Sequence, residues 1–172
     1  MFGLFRKDDS VKIIDRVWLS TPAKWNACVA MLKANPACLF IAWFEDTSLQ
    51  LKSLLGNEAP VFLANEVNYV NGRLVMMVEH YPLAQTEQDF FKRLQLREVP
   101  VLSALDEPLF MQFGGERTVE LMKKLGMGED EILGHDLITS SIRRAQQKIS
   151  RSVKVEQKAP SQEKWFALNF RN

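Results

Sequence analysis

Few residues in this chain combine a reactive type with a useful spacing. Glu79-His80 closes an apolar run, and in open α/β sheets ligands gather where strands end. Followed by Tyr81-Pro82, His80 also reads as a turn residue. His135 stands immediately before Asp136, and a His80–His135 pair would still lack the further ligands a metal needs. Cys28 falls on a predicted helix and Cys38 at the edge of a predicted strand, where small apolar packing residues fit better than nucleophiles. The acidic clusters Asp106-Glu107 and Glu129-Asp130-Glu131 are explained by helix capping and solvation.

A phosphate cradle is missing from the sequence. The eight glycines form neither G-x-x-x-x-G-K-[ST] nor G-x-G-x-x-G. Gly126-Met127-Gly128 runs into three carboxylates, where a phosphate needs N–H groups and cations; it reads as a helix end. No G-x-S-x-G elbow is present. The residues therefore imply no catalytic constellation, no metal and no cofactor.

The elements that position these groups can be read from periodicity. Residues 11–19, 37–44, 60–64, 74–78 and 99–105 are apolar or β-branched enough for five strands. The segment 37–44 is almost continuously apolar, as for a strand covered on both faces. Between them, Thr21-Pro22 opens one helix, Asp46/Thr47 caps a second, and residues 86–96 form a third with Phe90, Phe91 and Leu94 inward. Asn71-Gly72 marks a turn. Alternating strands and helices predict an α/β fold with an open, mainly parallel sheet flanked by helices and a C-terminal helical extension. Beyond Asp106, Val119, Met122 and Leu125 suit a short amphipathic helix. A longer one from Asp136 turns Ile138, Ile142, Ala145, Ile149 and Val153 inward and Arg143, Arg144, Gln147 and Arg151 outward. The expected organisation is an arm over 1–10, an α/β domain over 11–128, the helical extension over 129–153 and a basic, aromatic tail over 154–172. Residues 154–162 read as a linker, and Ser161 as the cap of a last turn bearing Trp165, Phe166 and Leu168.

With 47% apolar and 25% charged residues the chain is ordinary for a globular protein. Its net charge of +1 argues against a strongly basic nucleic-acid binder. That total hides an asymmetry. Residues 143–172 carry eight Lys/Arg against two Glu, a net of +6, leaving 14 basic against 19 acidic residues, −5, elsewhere. Two cysteines are too few for a disulfide framework and suit a reducing, cytoplasmic compartment. No run approaches the roughly 20 apolar residues of a membrane span. Residues 1–7, apolar over the first five, admit weak peripheral contact with a membrane, beside the plainer reading of a frayed or docked end.

One stretch resembles a known family. Leu109, Phe113-Gly114-Gly115-Glu116-Arg117, Leu121-Met122 and Leu125-Gly126-Met127, continuing through Glu131, Ile132, His135, residues 138–142 and Ala145-Gln146-Gln147-Lys148, look like SecA, the motor ATPase of bacterial preprotein export. Upstream, residues 75–80 and 101–105 fall where the second helicase-like motor domain of that family has strands. The resemblance implies a P-loop NTPase-like module comprising that second motor domain and the start of the scaffold helix. The first motor domain, with its Walker motifs, has no counterpart. Where the family carries glycine-arginine repeats that supply arginine fingers, this chain has Gln88, Lys92, Arg93 and Arg97 without the glycines, and bulky Phe90 and Phe91 between them. These four are vestigial candidates for a nucleotide-facing edge.

The sequence reading is thus a non-catalytic, SecA-like module that binds a protein partner, with export machinery as the context. Its candidate contact residues are Arg143, Arg144 and Arg151 on the basic helix and Trp165 and Phe166 in the tail. Two alternatives stay open: an accessory domain completing the ATPase site of a separate P-loop protein, and weak nucleic-acid binding through the +6 segment. Stable nucleic-acid binding is not expected.

Overall fold

A computed structural model describes residues 9–134 and 136–170. The elements run β1 (Lys12–Trp18), α1 (Thr21–Ala34), β2 (Leu39–Ala42), α2 (Glu45–Leu55), β3 (Val61–Leu63), a 3-10 turn (Ala64–Glu66), β4 (Val75–Met77), α3 (Ala84–Arg93), β5 (Glu98–Ala104), α4 (Pro108–Met111), α5 (Gly115–Lys124), α6 (Asp136–Ser152) and α7 (Gln162–Asn169). The five strands form one parallel sheet in the order β1-β5-β4-β2-β3. This is the α/β architecture that the alternation of elements predicts.

Period-two alternation sorts the strand residues onto two faces. Phe40, Ala42, Met76, Val78 and Leu102 pack with Cys28 of α1 and Leu51 of α2. Leu39, Ile41, Val75, Met77, Val99 and Val101 face Phe90, Phe91 and Leu94 around α3. Burial on both sides explains why 37–44 is apolar without interruption. Asn71 and Gly72 both take positive φ, 49° and 71°, so the Asn-Gly pair turns the chain as its composition requires. The free edge of β1 is partly covered: Val17 and Leu133 exchange both backbone hydrogen bonds, at 3.0 and 2.8 Å.

Three local expectations change. Ser20, not Thr21, caps α1, its hydroxyl accepting from the Ala23 N–H; Thr21 is drawn instead to Asp106, which accepts from its N–H and its hydroxyl. Asp46 and Thr47 lie inside α2, which begins at Glu45 without a side-chain cap. There the Asp46 N–H donates to the carbonyl of Pro160 at 3.0 Å, so a residue far along the chain does the capping. Finally, 154–162 is a fixed strap rather than a free linker. Asn169 clasps the backbone of Gln157 in both directions, and Glu156 accepts from the Trp165 indole at 2.8 Å and from the Tyr81 hydroxyl.

That strap brings α7 back onto the sheet. Trp165 and Phe166, 0% and 3% exposed, join Phe44, Tyr81, Ile142 and Ile149 in an aromatic core over the carboxyl ends of β2 and β4. Extension and tail are thus packed onto the α/β unit, and the tail docks in cis. Gly115, at the start of α5, sits where a Cβ would lie 2.4 Å from the Leu105 carbonyl oxygen. Replacing it with alanine forces backbone apart, so Gly115→Ala should destabilise by roughly 1–3 kcal/mol. Urea unfolding of the two proteins measures this, and equal midpoints would refute the close approach.

Candidate functional site

The sheet has a topological switch. From β2 the chain moves outward to β3, then crosses back to β4 and on to β5, so the carboxyl ends of β2 and β4 diverge. Ligands of open α/β folds bind at such a crevice. Here the edge is occupied by two buried ionic clusters.

The first surrounds Lys24, which α1 holds 2% exposed. Its ammonium donates to the Val78 carbonyl at 2.7 Å and pairs with Glu107. Neighbouring Glu79 accepts from the Trp43 and Phe44 N–H groups at 2.9 and 3.1 Å and from the Thr47 hydroxyl at 2.7 Å, fixing the turn into α2. Burial pushes the Glu79 carboxyl up to about 7 against the pull of Lys24, and raises Glu107 for the same reason. Both border a cleft of about 270 Å³ whose ionisable lining is Lys24, Lys164 and the five carboxyl groups of Asp46, Glu79, Asp106, Glu107 and Glu163. With Lys24 paired to Glu107, the acids Asp46, Asp106 and Glu163 outnumber Lys164, and such a lining disfavours a phosphate chain.

The second cluster centres on His80, 1% exposed. Its Nε2 lies 2.7 Å from Asp15 Oδ1 and its Nδ1 2.9 Å from Glu87 Oε1. With a carboxylate on each nitrogen, the ring is an imidazolium donating twice. Burial opposes the charge, but Glu87 and Asp15 outweigh it and push the imidazole up to about 10. Burial likewise opposes ionisation of Asp15, yet His80, the Thr139 hydroxyl at 2.6 Å and Arg143 together hold its carboxyl below the ordinary value. Glu87 also accepts from the Tyr81 N–H at 2.7 Å and from Gln146 Nε2 at 2.9 Å. Gln162 donates to the His80 carbonyl and accepts from the Leu109 N–H. The network ties β1, α3, α4, α6 and α7 to the segment that follows β4. With Asp15 and Glu87 buried on either side of it, the ring is a clamp within the fold and has no face open to a substrate.

The residues singled out from sequence scatter. Arg143, Arg144 and Arg151 lie on the exposed face of α6. Trp165 and Phe166 face inward. Gln88 is spent on both backbone groups of Val11, and Lys92 lies 3.9 Å from Asp9. Arg93 donates to the Asn68 side chain, while the exposed Arg97 sits just before β5. Those four do not converge. Cys28 and Cys38 are free and fully buried, and burial pushes the Cys28 thiol up to about 12. His135 and residues 1–7 lie outside the described residues. Lys24, Asp15, Glu87 and Gln162 carry no role in the sequence reading, and Gln146 enters it only through the likeness to SecA. Asp15 alone leaves a pattern, an acid on the alternating inward face of Val11, Ile13 and Val17.

No protein-family model matches the chain. Among curated proteins it is similar to the protein translocase subunit SecA of Christiangramia forsetii, 28% identical over 101 residues, which cover 56% of this chain and 9% of that protein. The SecA of Flavobacterium psychrophilum is 26% identical over the same length. A shorter, 46-residue match to SecA of Acidithiobacillus ferrooxidans reaches 48%, covering 27% of this chain and 5% of the relative. The relationship is to SecA. The chain spans less than a tenth of the length of these relatives. The residues that carry the likeness to SecA in the sequence form α4, α5 and much of α6, where Leu109 is buried and Gly115 makes its close approach.

Two tests follow from the buried charges. A raised imidazole stabilises fully below about 6.5 and ceases to do so as pH climbs through about 10. Glu79, raised from 4.5 to about 7, has lost most of its share by neutrality and the small remainder just above it, and the raised thiols of Cys28 and Cys38 add losses of the same sign only near and above about 9. Between pH 7 and 9 the fall in melting temperature therefore belongs mainly to His80, and His80→Asn should flatten it. An unchanged slope in the variant removes the clamp. Separately, Lys24→Met strands the buried Glu107 and should cost about 3–5 kcal/mol, most of it recovered in Lys24→Met/Glu107→Leu. Denaturant titration of the wild type and the two variants reads that loss and its recovery.

Proposed function

We propose that this chain is a SecA-like, export-related module of the cytoplasm that acts by binding another protein and does not turn over nucleotide. What carries this reading is the carboxyl edge of the sheet. The crevice where an α/β fold takes phosphates is walled by five carboxyl groups. Its buried cation, Lys24, is already committed to Glu107 and Val78. The sequence offers no glycine-rich turn to surround a triphosphate. An arginine finger adds about 10³–10⁵ in rate only where such a cradle exists.

The partner surface in this reading is the outer face of α6. Arg143, Arg144 and Arg151 are exposed along it while its inner face is locked to the sheet. Exposed guanidinium groups on a helix fixed in place select a protein with exposed carboxylates, and steer its approach. Trp165 and Phe166 support that surface from within, because they hold the tail against α6. No helix among the described residues is long and apolar enough to cross a membrane.

Two measurements on the full chain test the proposal. Calorimetry with millimolar MgATP should give no saturable heat, and the purified protein should release no phosphate. Affinity capture from the native cell should retain an export protein that Arg144→Glu/Arg151→Glu loses while keeping its melting temperature. Saturable ATP binding with phosphate release overturns the first half. A captured protein indifferent to the charge reversal overturns the second.

A further inference from the structure

A second cleft, of about 420 Å³, lies between α3 and the residues that follow β2, β3 and β4. Its ring wall is Trp43, Phe44, Tyr81 and Phe90, and its cations are Arg93 and Lys158. The rings brace one another. Trp43 lies 5.0 Å from Phe90 and 5.1 Å from Tyr81, and Tyr81 stacks on Phe44 at 5.6 Å with 16° between planes. Phe44, Tyr81 and Phe90 are deeply buried, whereas Trp43 keeps part of its indole exposed. The wall is rigid before anything binds, which lowers the entropic cost of binding. The Trp43 indole N–H is buried without an acceptor among the described residues, an uncommon state for such a donor.

The charges define what the wall accepts. Arg93 is exposed and held over the Phe90 ring, 5.2 Å from its centroid, by a single bond to the neutral Asn68 side chain. Among the described residues no carboxylate forms an ion pair with it. Lys158 lies over Tyr81 at 5.5 Å and shares its charge with Glu156 at 3.5 Å. Asp89, on the same rim, is engaged by Gln85 at 2.7 Å. Arg93 is thus the cation without an ion-pair partner, and with the carboxylates of Asp89 and Glu156 close by, the site suits a single negative charge seated directly on Arg93 and opposes a polyphosphate.

We propose that this cleft binds a flat aromatic monoanion of the aryl carboxylate class, its ring against Trp43 and Phe90 and its carboxylate on Arg93, with Lys158 as the second cation. A planar ligand gains area from the indole and a charge-assisted hydrogen bond from the guanidinium. The site is independent of the protein-binding reading and of the acidic cleft beside Lys24.

The test uses 2-naphthoate and its neutral counterpart 2-naphthamide on the full-length ¹⁵N-labelled chain. Naphthoate should shift the Trp43 indole N–H and the Thr86 and Phe90 amides saturably, and the amide should bind at least about tenfold more weakly, since the charged hydrogen bond is lost. Arg93→Gln/Lys158→Gln, two exposed positions, should bring naphthoate down to the level of the amide without moving the melting temperature. Equal affinity for the two probes, shifts confined to other residues, or no saturable shift at millimolar naphthoate would each overturn the assignment.

Discussion

The structure depends on a buried imidazolium. His80 leaves the end of β4, yet its two nitrogens reach Asp15 on β1 and Glu87 on α3. A charge taken out of water is costly unless every remaining donor and acceptor around it is matched. Here they are: Thr139, Gln146, Gln162 and the Tyr81 N–H complete the shells of the two carboxylates and of the connecting backbone. Such a network is worth most when complete and turns against the fold when one member is withdrawn. It therefore demands α6 and α7 in place, which apolar contact alone does not. The helices at the end of the chain are part of the sheet's own polar accounting.

That demand explains how the carboxyl edge of the sheet comes to be covered by the segment from Pro160 to Trp165. The Pro160 carbonyl caps α2, Gln162 bonds the His80 carbonyl, and Trp165 stands against Tyr81. The turns after β4 and β5 spend their acids on internal partners: Glu79 on the entry to α2, Glu107 on Lys24. What stays open is the acidic cleft beside Lys24, the outer face of α6 and the ring-walled cleft beside α3.

Sequence reasoning reached the parts governed by local or periodic physics. The apolar run at 37–44 is a central strand because both its faces are covered, and the spacing of Ile142, Ala145 and Ile149 gives the buried face of α6. It reached less far where a distant residue decides. Asp46 looks like a cap, but the carbonyl of Pro160, more than a hundred residues away, takes that place. Residues 154–162 are polar enough to read as a linker, since the bonds of Asn169 and Glu156 that fix them leave no trace in composition. The tail's Trp165 and Phe166 read as contacts for a partner; only geometry says that their mates are Phe44 and Tyr81. Lys24 and Gln146 look like ordinary surface residues until the groups that satisfy them are brought together.

The two faces of α6 are not electrically independent. Arg143 is exposed on the outer face but contributes to holding Asp15 ionised on the inner one. A partner carboxylate seated on Arg143 would screen that contribution, so occupancy of the outer face reaches the clamp through the field of one side chain. The effect is weak, because a charge in contact with water acts through an effective dielectric of about 20 or more. It has a definite sign nonetheless: an acid on Arg143 favours protonation of Asp15 and hence loosens His80. Reversing Arg144 and Arg151 probes the surface while keeping the Arg143 charge that helps hold Asp15 ionised, and reversing Arg143 mixes the two.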